Sequence, residues 1–286
     1  KNLICGKDFS VCFSPERINP GDDYNQYFKT PKVVGADDKV SLKKGLIFYK
    51  KIFKKVVLAS SSSVAEACKL YENIFRSINI SFANELKYVL RDLEIDIWEV
   101  IDICNTKPFG FMPFYPGAGI GGHCIPIDPL YLLWKLKKEK LSSNVIELTT
   151  NINESIPYII VKIIKKEIKK KKLSFLILGL SYKKNVNDLR ESAALRIMNL
   201  FRKNRINFRY YDIFFNKIKL KNNSNIQNTS ININKKNLLS FDGVLITTDH
   251  DNVDYDFIFK NSKIIFDTKN LVARKYKKFS YKTIKL

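Results

Sequence analysis

The sequence predicts an α/β fold in three parts, and two patterns carry this prediction. Through residues 63–93, apolar side chains recur at three- and four-residue steps, which is typical of an amphipathic helix. From Leu173 onward, short apolar runs alternate with a helical segment and end in Asp or Gly, which is typical of a doubly wound parallel sheet. The three parts are the end of an N-terminal α/β domain at 1–58, an all-helical centre at 59–155 and a C-terminal parallel-sheet domain at 156–286.

The first part is predicted from two extended stretches with a helix between them. PKVVGA at 31–36 and FKKVVLAS at 53–60 are extended, and the residues from 38 to 53 are helical. The chain begins with Lys1 rather than Met, and its first apolar run, residues 9–13, reads as a strand with nothing before it to pair with. We therefore expect the sequence to be a piece whose N-terminal part is missing.

The centre is predicted to be helical around one irregular segment rich in Gly and Pro. Ser63 and Glu66 have the S-x-x-E spacing of a capping box, so the long helix is expected to begin there. Further helices are expected at 95–104, 129–139 and 143–171. The apolar stripe of the long helix consists of Val64, Ala67, Tyr71, Ile74, Ile78 and Phe82.

The C-terminal part is predicted from four apolar runs and one amphipathic helix. The helix is RESAALRIMNLFRKN, and the Asn- and Lys-rich residues 216–235 stay open. The expected strands are LSFLILGL, NFRYYDIFF, FDGVLITTD and SKIIFDTKNL.

The basic composition leaves two explanations open. The formal net charge is +22, and such an excess is found in proteins that bind nucleic acid or anionic membranes. Lys, Asn and Ile are abundant along the whole chain, however, and an AT-rich genome produces that bias without selection for binding. Because neither a nucleic-acid-binding motif nor a span-length apolar run occurs, we expect no nucleic-acid partner and no membrane partner.

Cysteine usage predicts a cytoplasmic protein without a structural metal. The chain has five scattered cysteines, no C-x-x-C pair and two histidines. Zinc sites need clustered ligands, and scattered thiols are typical of a reducing compartment. We therefore expect reduced thiols and no metal site.

The stretch GAGIGGHCIPIDP, residues 117–129, has the G-x-G-x-x-G spacing of a dinucleotide-binding loop. Prolines flank it on both sides, so no helix opens at Gly122 and the cofactor-loop explanation fails. The glycines instead let the backbone approach a ligand closely. Cys124 is either a small buried hydrophobe or a nucleophile among backbone N–H groups that turn toward an oxyanion, with Asp128 four residues on.

Lys69 and Asn73 also have two explanations. They lie one turn apart on the predicted long helix, opposite its apolar stripe. They form either a solvated face or the base and oxyanion donor of a closed site.

The stretch LGLSYKKNVNDLRES, residues 178–192, is predicted to hold an anion. A helix is expected to start near Asp188, and its N-terminus, Lys183 and Arg190 would point at a phosphate. The alternative is a basic surface loop in a basic protein.

Five blocks of the sequence, in this order, resemble blocks of the nucleotide-sugar dehydrogenases, the family of the UDP-glucose and GDP-mannose dehydrogenases. The resemblance covers nearly the whole chain, and residues 105–129 look most like the UDP-N-acetylglucosamine 6-dehydrogenases. The blocks are FSPERINPG, EACKLYENIFRSINISFANEL, PGAGIGGHCIPIDP, LGLSYKKNVNDLRES and FDTKN.

The resemblance implies a fold, a reaction and partners. Residues 1–58 are then the end of a Rossmann-like NAD-binding domain, 59–155 the dimerisation and catalytic domain, and 156–286 a Rossmann-like UDP-sugar-binding domain with its linking helix. The implied reaction is NAD-dependent oxidation of the C6 alcohol of a UDP-N-acetylhexosamine to the uronic acid, through a cysteine thiohemiacetal and thioester, for surface polysaccharide biosynthesis. The central helices are expected to form a homodimer or a higher homo-oligomer.

The resemblance also implies roles for single residues. Cys124 looks like the nucleophile, and with Arg190 it is assigned to the cofactor site. The base, the oxyanion group with its water network, and the acid/base carboxylate are expected among Lys69, Asn73, Asp128 and Glu16. The residues expected to bind the substrate are Arg17, Tyr115, Gly117, Gly119, Gly121, Tyr182, Lys183 and Lys269.

Two departures from the family pattern affect the expected activity. The family's N-terminal glycine fingerprint is absent from this sequence, so the chain by itself is not expected to bind NAD productively. Lys269 stands where an Arg is expected, and lysine keeps the charge but loses the bidentate fork. The alternatives are therefore a catalytically inactive, dimerising UDP-sugar-binding remnant and a basic nucleic-acid-binding module.

Overall fold

The computed structural model describes residues 2–18, 21, 27–219 and 227–286. The chain forms two compact units, Lys1–Phe75 and Arg76–Leu286, and each is described by itself.

In the first unit, two parallel strands flank a helix, as the sequence predicts. Strand β1 spans Lys32–Gly35, helix α1 spans Lys39–Lys50, and strand β2 spans Val56–Ala59 and pairs with β1. The carboxylate of Asp38 accepts the backbone N–H of Ser41 at 2.8 Å and so caps α1.

The expected strand at residues 9–13 does not form. Within the described residues, Phe13 makes an isolated antiparallel bridge to Gly35, in which each backbone N–H donates to the other carbonyl at 2.8 and 2.9 Å. Pro15 follows two residues later, and its ring removes the backbone donor that a continued ladder would need.

The centre of the chain is helical, which confirms the prediction. Its helices are α2 at Ser62–Asp92, α3 at Ile97–Cys104, α4 at Asp128–Lys138 and α5 at Asn144–Glu167. None of the helices in the described ranges is long and apolar enough to cross a membrane.

The predicted capping box of α2 is wrong by two residues. The hydroxyl of Ser61 accepts the N–H of Val64 at 3.1 Å, and Ser63 lies inside the helix. Four consecutive serines, 60–63, precede the helix, so the spacing to Glu66 could not identify the capping one.

The apolar stripe and the polar face of α2 differ in burial. Most of the apolar stripe is exposed, with Tyr71 75% and Phe82 60% accessible. The opposite face is buried although it is polar, and each of its residues is at most 5% exposed: Asn73, Ser77, Ser81, Asn84 and Lys87. Part of this face has polar partners on α5, because the hydroxyl of Ser81 accepts the amide of Asn153.

The C-terminal region contains the predicted parallel sheet. In this sheet all neighbouring strands are parallel. Their order is Asn207–Tyr211 (β4), Ser174–Leu178 (β3), Gly243–Ile246 (β7), Ile265–Asp267 (β8) and Thr283–Lys285 (β9). The elements are β3 (Ser174–Leu178), α6 (Ala193–Lys203), β4 (Asn207–Tyr211), β5 (Lys217–Lys219), β6 (Gln227–Thr229), α7 (Lys235–Ser240), β7 (Gly243–Ile246), α8 (Tyr255–Asn261), β8 (Ile265–Asp267), α9 (Leu271–Lys275), the 3-10 helix Lys277–Lys282 and β9 (Thr283–Lys285).

The sheet has a hydrophobic core on each face. Side chains alternate along β3, so Phe175 and Ile177 pack in the core that contains residues of α5 and α6, while Leu176 and Leu178 pack with residues of α7 and α8. This two-sided burial explains the continuous apolar character of β3 and confirms the doubly wound prediction.

Two features of this region differ from the sequence expectation, and the structure adds detail to a segment that the sequence left open. Helix α6 begins at Ala193 and not near Asp188, because the side chain of Ser192 caps it by accepting the N–H of Ala194 at 3.2 Å. Strand β9 was not expected. The open segment 216–235 contains the antiparallel pair β5 and β6, while its residues 220–226 lie outside the described residues.

Candidate functional site

Four of the expected site residues lie in the first unit. Glu16 is exposed, and its carboxylate accepts the N–H of Ile18 at 2.7 Å. Arg17 binds Glu72 of α2 through two nitrogens, at 2.5 and 3.3 Å, and donates to the carbonyl of Pro31 at 2.8 Å.

On α2, Lys69 is half-buried and Asn73 is 5% exposed. The expectation that this face is merely solvated is therefore wrong for Asn73. Their roles as base and oxyanion donor stay predictions.

In the second unit, the loop Gly117–Cys124 is hydrogen-bonded to two distant segments of the chain. The N–H of Gly117 donates to Asn84 Oδ1 of α2 at 2.8 Å, and the N–H of Gly122 donates to the carbonyl of Arg190 at 2.8 Å. Gly122 has a φ of +91°, a region that favours glycine. The loop is thus fixed at both ends by hydrogen bonds to distant parts of the chain.

Two glycines of the loop leave no space for a side chain. A Cβ added at Gly121 would lie 2.7 Å from the Cβ of Tyr182, and one at Gly122 would lie 2.9 Å from the ring of the same tyrosine. The loop backbone therefore packs directly on Tyr182, while its expected close approach to a ligand stays a prediction.

Cys124 is exposed at the end of this loop. Its carbonyl accepts the N–H groups of Ile127 and Asp128, at 3.1 and 2.8 Å, in the turn that leads into α4. Asp128 is the first residue of α4, where the helix dipole favours a carboxylate. The structure thus brings the candidate nucleophile and Asp128 together, one turn apart.

Tyr115 precedes the loop and is held by two contacts. Its hydroxyl donates to Asp102 at 2.6 Å, and its ring stacks on Trp98, with 5.4 Å between ring centroids. The hydrogen bond to Asp102 is the main cause that raises the pKa of Tyr115. The aromatic ring is therefore fixed beside the glycines.

The predicted anion site at residues 178–192 is wrong in its geometry. The helix N-terminus that was to hold the phosphate begins after this segment, and the guanidinium of Arg190 forks onto Asp188 of its own loop at 2.7–3.2 Å. Lys184 pairs with Asp251 at 2.5 Å. Tyr182 and Lys183 are half-buried, and burial is the main cause that raises the pKa of Tyr182, with smaller contributions from charges that include Asp188 and Cys124.

Lys269 approaches the glycine loop from the end of β8. A Cβ added at Gly117 would lie 3.1 Å from the Lys269 ammonium. The backbone of Lys269 is held by Asp267, whose two oxygens accept the N–H groups of Lys269 and Val272 at 2.8 Å each. Burial lowers the pKa of Lys269, so a nearby anion would stabilise its charged form.

The described residues do not fit a dinucleotide. Residues 123–127 are irregular, and α4 begins only at Asp128, so the loop does not open onto a helix N-terminus. The connection from β1 to α1 carries Asp37 and Asp38, whose carboxylates would repel a pyrophosphate.

Sequence reasoning missed the residues that hold the site in place. They are Asn84 behind Gly117, Trp98 and Asp102 behind Tyr115, and Asp267 behind Lys269. A sequence signal existed for Asn84 alone, since it continues the series of polar residues on one face of α2.

Two family models match the chain. The central domain of the UDP-glucose/GDP-mannose dehydrogenase family matches residues 63–155, and the UDP binding domain of the same family matches residues 176–274. Together they cover more than half of the chain. The chain belongs to the UDP-glucose/GDP-mannose dehydrogenase family.

Individual relatives agree with this assignment. The chain is 32% identical over 283 residues to a UDP-N-acetyl-D-mannosamine dehydrogenase of Methanocaldococcus jannaschii, and 34% identical over 281 residues to Protein CapL of Staphylococcus aureus, which cover 96% and 94% of the chain. A solved structure of a UDP-D-ManNAc dehydrogenase from Pyrococcus horikoshii superposes with a TM-score of 0.77 at 29% identity over 92% of the chain. The chain spans 62–65% of the length of these three proteins.

Proposed function

We propose that this chain carries the nucleotide-sugar site of a dehydrogenase that oxidises the C6 alcohol of a UDP-N-acetylhexosamine to the uronic acid. The observation that carries the proposal is the loop Gly117–Cys124, which packs on Tyr182, faces Lys269 and ends in an exposed cysteine. Such a loop offers backbone contacts to a sugar, a cation to a diphosphate and a thiol to a carbonyl carbon.

The substrate proposed is UDP-N-acetyl-D-mannosamine. The relatives from M. jannaschii and P. horikoshii carry this sugar in their names, at 32% and 29% identity. They favour the mannosamine epimer over the glucosamine branch that residues 105–129 resemble. The product would serve surface polysaccharide synthesis, in the cytoplasmic location that the scattered thiols predict.

Cys124 is the proposed nucleophile. Its thiolate would add to the C6 aldehyde to give a thiohemiacetal, and loss of a hydride to NAD and of the hydroxyl proton would turn the thiohemiacetal into a thioester. Water would then hydrolyse the thioester to the uronic acid and release the thiol. Asp128, one turn away, orders that water. Lys69, Asn73 and Glu16 are the proposed base, oxyanion donor and acid/base carboxylate.

NAD is the proposed hydride acceptor, two per substrate. Because the described residues offer no dinucleotide cradle, the roles derived for this chain are those of substrate binding and thiol chemistry. Arg190, which lies beside the loop through its carbonyl bond to Gly122, remains the proposed contact to the cofactor.

We also propose that the exposed apolar face of α2 binds a second copy of this chain. Tyr71, Phe82 and Val89 are 75%, 60% and 50% exposed in the single chain. A soluble helix rarely leaves so many large apolar side chains in water unless a partner covers them.

Isothermal titration calorimetry and uronate assays test the proposed function. The chain is expected to bind UDP-N-acetyl-D-mannosamine and UDP, and not GDP-mannose or duplex DNA. Saturable DNA binding with a steep salt dependence, without UDP binding, would establish the nucleic-acid alternative.

Cys124→Ser tests the chemistry. In the chain joined to an NAD-binding domain and supplied with NAD, we expect the variant to make no uronate, detected by liquid chromatography of the nucleotide products, because the alcohol of Ser is a far weaker nucleophile than a thiolate. Cys104→Ser, which changes another exposed cysteine, serves as the control and should retain activity. Uronate formation by Cys124→Ser at the normal rate would remove Cys124 from the mechanism, and UDP-sugar binding without any uronate would favour the inactive remnant.

A further inference from the structure

We propose that Lys87 is a second cation of the nucleotide-sugar site, and that with Lys269 and the amide of Asn84 it binds one oxyanion group of the ligand. This proposal rests on the proposed function, since it assigns a further residue to the same ligand. Neither the sequence motifs nor the family blocks point to Lys87.

The side chain of Lys87 is buried without a hydrogen-bond partner. Lys87 is 5% exposed, and among the described residues its ammonium nitrogen has no acceptor. The ammonium nitrogen lies 5.4 Å from the centroid of the Tyr88 ring. A buried ammonium without an acceptor is costly, so the site lacks a group that would accept its hydrogen bonds.

Asn84, one turn earlier on α2, also has a buried N–H donor without a hydrogen-bond acceptor. Its Oδ1 accepts the N–H of Gly117, while its Nδ2, buried in a residue of 0% exposure, has no acceptor within the described part of the chain. Asn84 and Lys87 share one face of the helix. Their unused N–H donors therefore lie on the same side of α2, and Asn84 itself contacts the glycine loop.

Asp267 accepts no hydrogen bond from Lys87 Nζ or Asn84 Nδ2. Asp267 interacts electrostatically with both Lys87 and Lys269, but its two oxygens already accept the backbone N–H groups of Lys269 and Val272. Asp249 also interacts electrostatically with Lys269 and with Asp267, so two carboxylates act on the two ammonium groups. Among the described residues, neither Lys87 Nζ nor Asn84 Nδ2 has an acceptor. The complement of such a donor-rich cluster is an oxyanion with several acceptor atoms.

There is space for a ligand beside Lys87. It lines a cavity of about 210 Å³ whose wall also includes Arg91 and Trp98. Trp98 stacks on Tyr115, which precedes Gly117 by two residues. The cavity is therefore connected to the candidate substrate loop through Trp98 and Tyr115, while neither Asn84 nor Lys269 lines it.

The charge state of Lys87 gives the proposal a measurable signature. Burial lowers the pKa of Lys87 to about 7, a shift that Asp267 opposes and that Lys269 and Arg91 reinforce. At pH 8 the free chain holds Lys87 mostly neutral, and an oxyanion beside it would favour the charged form. Ligand binding at pH 8 should therefore take up protons.

The test is calorimetric titration of the chain and of Lys87→Met with UDP at pH 8, in HEPES and in Tris, whose ionisation enthalpies differ. Lys87→Met is expected to weaken UDP binding about tenfold or more and to reduce the proton uptake. Its melting temperature should not fall, because the substitution removes a buried charge. Lys135→Met, on an exposed lysine paired with Glu139, is the control and should change neither quantity.

A second ligand locates the oxyanion, because a diphosphate and a C6 carboxylate both fit the cluster. Equal losses for UDP and for UDP-N-acetylmannosaminuronic acid place Lys87 at the diphosphate. A loss confined to the uronate places it at the carboxylate.

Asn84→Asp keeps the proposal testable if Lys87→Met fails to fold. It preserves the acceptor for Gly117 and gives Lys87 an internal carboxylate, so UDP binding should weaken. Unchanged affinity and proton uptake in either folded variant, for both ligands, overturn the role of Lys87 and leave the proposed function standing. Absence of UDP binding by the unmodified chain overturns the proposed function itself.

Discussion

The two faces of helix α2 differ in the opposite way from those of most helices in water-soluble proteins. One face is polar and buried, from Asn73 to Lys87, and the other is apolar and exposed, with Tyr71 and Phe82 at 75% and 60% accessibility. A helix normally buries its apolar stripe, because removal of apolar surface from water drives folding. The buried polar face is therefore retained for another purpose, and the apolar face is explained if a second copy covers it.

The buried face of α2 also holds other parts of the site in place. Asn84 fixes the backbone of Gly117, and Ser81 binds Asn153 of α5. Each of these bonds spans a large separation in sequence, so the face links the glycine loop and a neighbouring helix to one rigid element. The following predictions separate the two faces by what each does to assembly, stability and binding.

The largest effect, loss of the homodimer, is expected from a substitution on the apolar face of α2. Phe82→Asp should convert a homodimer to a monomer, because it would place an unpaired carboxylate in an apolar interface at a cost of about 3–5 kcal/mol. Light scattering after size-exclusion chromatography measures the mass. Lys203→Asp, an exposed charge reversal on α6, is the control and should stay dimeric. A monomeric unmodified chain at micromolar concentration would contradict the proposed interface.

A smaller effect, an increase in the free energy of unfolding, is expected from Lys87→Met. The pKa of Lys87 is about 7 in the folded chain, mainly because of burial, against 10.5 for the ordinary side chain. Between these values the unfolded chain binds more protons, so the Lys87 contribution to stability rises with pH from 7 to 10.5, and below pH 7 the buried charge is fully destabilising. The variant should therefore gain about 1–4 kcal/mol at pH 6, and the gain should shrink toward pH 10.

Urea denaturation of both chains at several pH values measures this difference. If the Lys87→Met chain is less stable than the unmodified one at pH 6, the electrostatic attraction between Lys87 and Asp267 outweighs the cost of burying the Lys87 ammonium.

The smallest effect is expected from Asn84→Ala, which removes the acceptor of the Gly117 N–H. Loss of that buried bond should cost about 1–3 kcal/mol of unfolding free energy, measured by urea denaturation. Phe82→Ala, on the exposed face, should change the stability of the monomer by about 0.5 kcal/mol or less. Equal effects of the two substitutions would mean that the faces do not differ as described.

Much of the architecture could be predicted from the sequence, because strands and helices are encoded by local apolar patterns. The four predicted strands around Leu176, Tyr210, Leu245 and Phe266 and the central helices are all present. Helix starts were less accurate, since Ser, Asp and Asn are all good caps and several compete. Near α6 the carboxylate of Asp188 binds Arg190 instead of a helix N-terminus.

The burial of the polar face of α2 could not be predicted from local patterns. The same is true of the residues that hold the site in place. Which face of a helix is buried depends on the partner, and hydrogen bonds such as that from Gly117 to Asn84 join residues 33 positions apart. Lys87 was missed because an isolated lysine on a helix is ordinarily solvated. The placement of a buried cation is a tertiary property.

The most direct test of the nucleotide-sugar site is the rate at which iodoacetamide modifies Cys124, with and without UDP-N-acetyl-D-mannosamine, followed by peptide mass spectrometry. The loop Gly117–Cys124 and Lys269 are proposed to enclose the ligand, so saturating UDP-sugar should slow the modification of Cys124 about tenfold or more. The exposed thiols of Cys5 and Cys104 report on reagent access in the same tube and should react at unchanged rates. An unchanged rate at Cys124 under saturating ligand would contradict the account.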